Sequence, residues 1–275
     1  MNKKIVKIIG LVSILFLEIL ISCSTETTTT LTNEITETRY DKLGVITSQV
    51  VSEYNEAKII KRSMYKYPNG NKSLEGYIIY EWTGSTPTKE SAYDSNNNLI
   101  FYNSCELNSK GLMEKYIQYN LNYELTVIYN YDGNENVVKA TTYSSNSILS
   151  YIVKEYNGKY LTKETYYDNK DNNGNFITNK YTKYDYDNSN YKIKTSKFTL
   201  DNIAKTELLS SYEVYEYDIL GNLIKTSWYS TTWDGILKLL CYEINKYDNN
   251  NNKTKFEMYG NDGVISSYGV ITYKN

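Results

Sequence analysis

"YDILGNLIK", Tyr217 to Lys225, decides how this chain folds. A Tyr-Asp pair enters the stretch, Gly221 and Asn222 close it, and Leu223 and Ile224 lead away. Asp is a residue that opens type I turns, because its side chain accepts hydrogen bonds from the backbone N–H groups ahead of it. Gly221 supplies the left-handed residue that completes a hairpin with a bulge. The stretch reads as strand, reversal, strand.

Weaker copies recur: "YDKLGVI" from Tyr40, "YPNGNKS" from Tyr67, "YDSNNNLI" from Tyr93, "YDGNENVV" from Tyr131, "YNGKYLT" from Tyr156, "YDNSNYKI" from Tyr186 and "YDNNNNKT" from Tyr247. In the last of these Asn does the work of Gly. Successive leading tyrosines lie 25 to 38 residues apart, and the longest interval holds an extra turn, "LNSKGLM", Leu107 to Met113. A repeat at this scale indicates an array of small units. The segments between turns read as strands: Tyr212–Tyr217, Leu223–Ser230, Leu237–Tyr247, Lys253–Tyr259 and Gly263–Tyr273 follow one another as an antiparallel meander.

Composition agrees. There are 32 Tyr against 5 Phe and 3 Trp, and only two Pro interrupt the chain. Tyr, Thr, Ile and Val fit a pleated, half-buried surface, while Pro removes a ladder donor. In "YEVYEY" Tyr212 and Val214 share one face, and Tyr215 and Tyr217 the other. Neither face reads as wholly dry. The expected fold is all-β: a meander of repeated β-hairpins in an extended or curled, twisted sheet, closed in part around a thin core.

The N-terminus carries a different signal. Lys3, Lys4 and Lys7 precede an apolar run from Ile8 to Ile21, interrupted by Glu18. The run falls short of the roughly 20 residues of an untilted membrane span. A positive start, a short apolar core and small residues at its end describe an export signal. "LISC", Leu20-Ile21-Ser22-Cys23, resembles the lipobox of bacterial lipoproteins. The resemblance implies cleavage after residue 22 and lipid on Cys23, with Glu18 a departure from the pattern. It also implies a place in the cell envelope, and Ser24 would favour the outer membrane under the enteric sorting rule. Residues 23–38, "CSTETTTTLTNEITET", are Thr-rich with few large apolar side chains and read as a tether. The expected folded domain is 39–275.

Two further resemblances concern architecture. "YEYDILGNLIK", Tyr215 to Lys225, resembles the YD repeats of RHS-type proteins, and "YKYPNGNKSLEGYIIY", Tyr65 to Tyr80, resembles the MORN-like repeats of YwqK-type proteins. Both imply stacked β-hairpins and carry no activity.

Site chemistry is sparse. The chain has no His, which excludes Ser-His-Asp and Cys-His sites and the commonest metal ligand. A net charge of −2 gives no general pull toward nucleic acid. Beyond Cys23 only Cys105 and Cys241 remain; they read as apolar fillers, with pairing in an oxidising envelope as the alternative. "DNKDNNGNF" around Asp171 has part of a calcium-loop pattern, yet Lys180 stands where the twelfth-position Glu is required. No enzyme, metal or cofactor is expected. The candidate contacts for a protein or glycan partner are Trp82, Trp228, Tyr229 and Trp233, since Trp and Tyr dominate interface hot spots; packing is the competing role for each. The expected function is non-catalytic binding or structural work by an envelope lipoprotein. The alternatives are a sugar-binding or carbohydrate-active protein, or an antitoxin-like immunity lipoprotein.

Overall fold

In a computed structural model, described here for residues 34–120, 124–201, 206–232 and 235–274, the chain forms one closed antiparallel β-barrel. Its strands are β1 (Glu34–Asp41), β2 (Ile46–Asn55), β3 (Lys58–Lys66), β4 (Ser73–Thr83), β5 (Thr86–Asp94), β6 (Leu99–Leu107), β7 (Met113–Asn120), β8 (Glu124–Tyr131), β9 (Val137–Ser144), β10 (Ser147–Asn157), β11 (Tyr160–Lys170), β12 (Phe176–Tyr186), β13 (Lys192–Asp201), β14 (Thr206–Tyr217), β15 (Leu223–Thr231), β16 (Leu237–Tyr247), β17 (Lys253–Gly260) and β18 (Ile265–Lys274). Every strand pairs with its sequence neighbours, and β1 also pairs with β18, from Glu34 opposite Lys274 to Asp41 opposite Ser267. The all-β meander expected from the sequence is present, and its closure is complete. One expectation is corrected: β1 begins at Glu34, so the last residues of the expected tether, 34–38, belong to the closing strand. Their Thr residues alternate along a strand instead of linking two bodies.

Both termini of the barrel lie at one end, the terminal rim; the β1–β2 turn lies at the other, the far rim. The tyrosine-led turns divide between them. Those after Tyr40, Tyr67 and Tyr93 fall on the far rim, and those after Tyr131, Tyr156, Tyr186, Tyr217 and Tyr247 on the terminal rim. The extra turn at Asn108–Leu112 causes the switch, because it puts three strands where other intervals have two.

The turns are built as the residues demand. Asp218 Oδ1 accepts from the backbone N–H of Leu220 at 2.9 Å and of Asn222 at 2.8 Å, and Asn222 Nδ2 donates to Oδ2 at 2.9 Å. Gly221 takes the left-handed conformation at φ 84°. Asn251 does the same at φ 61° in the turn after Tyr247. Hydrogen bonds from the Asn222 side chain and from backbone N–H groups hold the Asp218 carboxyl below its ordinary range.

The leading tyrosine has its own role on the terminal rim. Tyr217 donates its hydroxyl to the Lys192 carbonyl at 3.1 Å, at the start of the return strand one unit back. Tyr131 to Met113 (2.5 Å), Tyr156 to Val137 (3.0 Å), Tyr186 to Leu161 (3.0 Å), Tyr247 to Leu223 (3.0 Å) and Tyr273 to Lys253 (2.8 Å) repeat the contact. Trp82 makes it with its indole N–H, 2.7 Å from the Ile59 carbonyl. Leu107 has no donor, and there Cys105 Sγ reaches the Pro87 carbonyl at 3.3 Å. Each accepting carbonyl lies beside the register shift near the start of its return strand, as at Leu223 opposite Tyr217 and Ile59 opposite Tyr54.

Candidate functional site

Register sorts the side chains into two faces. Opposed residues in an antiparallel ladder share a face, and alternate residues do so along a strand. Among the described residues the inner face carries a compact apolar cluster, Ile59, Ile78, Tyr80, Ala92 and Phe101 on β3 to β6.

The outer face is layered. In the β14–β15 hairpin Tyr212 opposes Tyr229, Val214 opposes Ser227 and Glu216 opposes Lys225. The same order of aromatic pair, small or branched pair and charged pair appears in β4–β5, β6–β7 and β10–β11. The aromatic pairs stack: centroids are 4.4 Å apart for Tyr212–Tyr229, 5.0 Å for Tyr77–Tyr93, 4.5 Å for Tyr102–Tyr119 and 4.5 Å for Tyr151–Tyr167. Ion pairs Glu81–Lys89 (2.7 Å), Glu106–Lys115 (3.0 Å), Glu155–Lys163 (3.2 Å) and Glu216–Lys225 (2.8 Å) fill the charged layer. Being exposed, each adds little stability. Their weight lies in what the wall can face. A membrane-spanning barrel turns an apolar band about 25 Å tall to lipid. Here the charges lie four residues from the aromatic layer, about 14 Å along the strand.

The inner face holds the chemistry. Glu164 on β11 is nearly buried, with Tyr184 Oη at 2.6 Å and Tyr166 Oη at 3.0 Å from Oε2 and Lys154 Nζ at 2.8 Å from Oε1. Burial raises its proton affinity, but the ammonium and the two phenols outweigh that and hold the carboxyl below its ordinary value. Burial and the neighbouring carboxylate drive the Tyr184 phenol far up, and the Tyr166 phenol up to about 12.

Glu90 on β5 is the opposite case. It has no solvent exposure, and burial pushes its carboxyl up to about 7 against the pull of Asn103, Arg62 and Tyr80. Asn103 Nδ2 donates to Glu90 Oε2 at 2.9 Å. Glu90 Oε1, Asn103 Oδ1 and Tyr80 Oη are buried without a partner of good geometry, although Tyr80 lies close enough for each group to perturb the other. Sequence reasoning passed over this cluster because acids are common on these strands.

The three described contact residues, Trp82, Trp228 and Tyr229, do not form one site. Trp82 is on the inner face, packed against the Ile59–Ile78 cluster with its N–H engaged. Trp228 opposes Glu213 and Cys241 on the inner face, while Tyr229 is outside, stacked on Tyr212. Trp233 and Cys23 lie outside the described residues. Asp171 caps its own turn through Asn173 and Asn175. Cys105 and Cys241 are free thiols.

No family model matches the chain, and no curated protein matches it. Among solved structures, a porin-like protein from Bacteroides uniformis is similar at 11% identity, over 88% of this chain and 96% of its own, with a TM-score of 0.45. A porin-like protein from Bacteroides vulgatus is similar at 10% identity, over 89% of this chain and 99% of its own, with a TM-score of 0.33. A protein of unknown function from Bacteroides fragilis is similar at 18% identity, over 45% of this chain and 87% of its own, with a TM-score of 0.34.

Proposed function

We propose that this chain is a non-catalytic binding or structural module of the bacterial envelope, a water-facing barrel tied to a membrane by lipid on Cys23. The charged layer of the outer wall carries this reading. Charge also enters the wall's middle layer, with Lys194 opposite Val214 and Lys139 opposite Val153; a Lys facing lipid near the bilayer midplane costs about 2–4 kcal/mol, so such a wall belongs in water. The lipobox-like Leu20–Cys23 then supplies the attachment that the wall does not. Ten residues separate Cys23 from Glu34 on the terminal rim, so the anchor would lie on that side of the barrel. The far rim would point away from the membrane, presenting the exposed turn residues Leu43, Val45, Ile236 and Val264 to a partner protein.

Cell fractionation tests the reading. Cys23→Ser is expected to move the protein from the membrane fraction to the soluble fraction. A variant that stays in the membrane fraction under carbonate wash would overturn it. Protease treatment of intact cells then separates a surface location, where peptides from Arg39 onward are released, from a periplasmic one.

A further inference from the structure

We propose that Glu90 holds a proton in the folded barrel and, with Asn103, closes an acid–amide ring across β5 and β6 that opens when the proton leaves. Half of the ring is visible: Asn103 Nδ2 donates to Glu90 Oε2 at 2.9 Å. The other half explains two atoms at once. Glu90 Oε1 and Asn103 Oδ1 are both buried without a hydrogen bond of good geometry, Tyr80 beside the carboxyl included, on side chains already joined by one hydrogen bond. An ionised carboxylate and an amide carbonyl cannot satisfy each other, since neither has a proton to give. A single hydrogen on Oε1 satisfies both, and leaving them bare would incur the full desolvation penalty of each group.

The surroundings favour the neutral acid. Among the described residues Arg62 on β3 is the cation that draws the Glu90 carboxyl down, and burial outweighs it. Tyr80 on β4 faces the carboxyl, Tyr54 on β2 lies beyond Tyr80, and Tyr116 on β7 feels the Glu90 charge. All three are phenols pushed above their ordinary range by burial, and Cys105 on β6 is a thiol pushed up in the same way. None of them ionises near neutral pH.

The sign of the consequence is fixed. A carboxyl whose proton affinity rises on folding binds more protons in the folded state than in the unfolded one. Its contribution is full below its ordinary value of 4.5 and is lost as pH rises to about 7. The window is clean, because the chain has no histidine. The barrel is therefore acid-stabilised at the β5–β6 seam, which would loosen where its surroundings turn alkaline.

The test is urea unfolding of the full chain at fixed ionic strength across pH 4.5 to 8, with Glu90→Gln beside the native chain. The native folding constant is expected to fall by up to tenfold per pH unit and to level off above about 7. Gln presents an N–H where the acid presents its O–H, so the Glu90→Gln chain keeps the ring and loses the slope. An equal slope in both chains, or none in the native chain, overturns the proposal. If Glu90→Gln does not fold, difference infrared spectra of the native chain decide. A carboxylic-acid C=O band lost as pH rises through 7 supports it, and no such band overturns it.

Discussion

Replacing Gly76 with Val is expected to cost about 3 kcal/mol or more, at the upper end of what forced overpacking does. Gly76 sits on β4 opposite Asp94, and a Cβ placed there would lie 2.4 Å from the Tyr93 carbonyl oxygen. The obstacle is backbone, so no side-chain rotation relieves it. Either the β4–β5 ladder parts or the strand bends away from its neighbour. Both disturb Ile78 and Ala92, two residues of the compact buried cluster. Equilibrium unfolding in urea would show the loss as a lower midpoint, and a midpoint equal to that of the native chain would mean the two strands do not approach this closely.

The second large effect belongs to Glu164. Its carboxylate satisfies Tyr184, Tyr166 and Lys154 together in a nearly buried position. Glu164→Ala leaves a mostly covered ammonium and two phenols without their acceptor, which costs about 3–5 kcal/mol. The same carboxyl also gives an acid limb. Because folding holds it below its ordinary 4.5, its contribution is present above that pH and is lost as pH falls further. Glu164→Ala should flatten that limb in acid unfolding curves. A variant that unfolds at the native urea concentration with an unchanged acid limb would remove Glu164 from the account.

Turn chemistry was readable residue by residue: Asp218, Gly221 and Asn251 do what their types allow. The meander followed from it. Closure was not readable, because it pairs residues 34–41 with 267–274, and that contact has no local signal. The Thr-rich look of the stretch before Arg39 pointed to a tether instead.

The sequence puts tyrosines on both faces and leaves the role of each face open. The structure separates them into outer pairs that stack, such as Tyr212 on Tyr229, and inner ones that bind carbonyls, such as Tyr217. Trp228 and Tyr229 are neighbours in sequence, and strand alternation puts them on opposite sides of the wall. A usable signal for the inner acids was present. Glu81, Glu106 and Glu216 fall in phase with an outer tyrosine four residues before each, at Tyr77, Tyr102 and Tyr212. Glu90, Glu164 and Glu213 fall one residue out of that phase, between outer-face residues, and so point inward.

On the proposed function the closed barrel's outer wall stands in water. Residues 34–275 contain all eighteen strands and none of the apolar N-terminal run. Sedimentation and far-ultraviolet circular dichroism of that segment in detergent-free buffer test the claim directly. The account predicts a folded, β-rich species that stays in solution. A segment that folds only in detergent or lipid would contradict it and make the outer wall a membrane-facing surface.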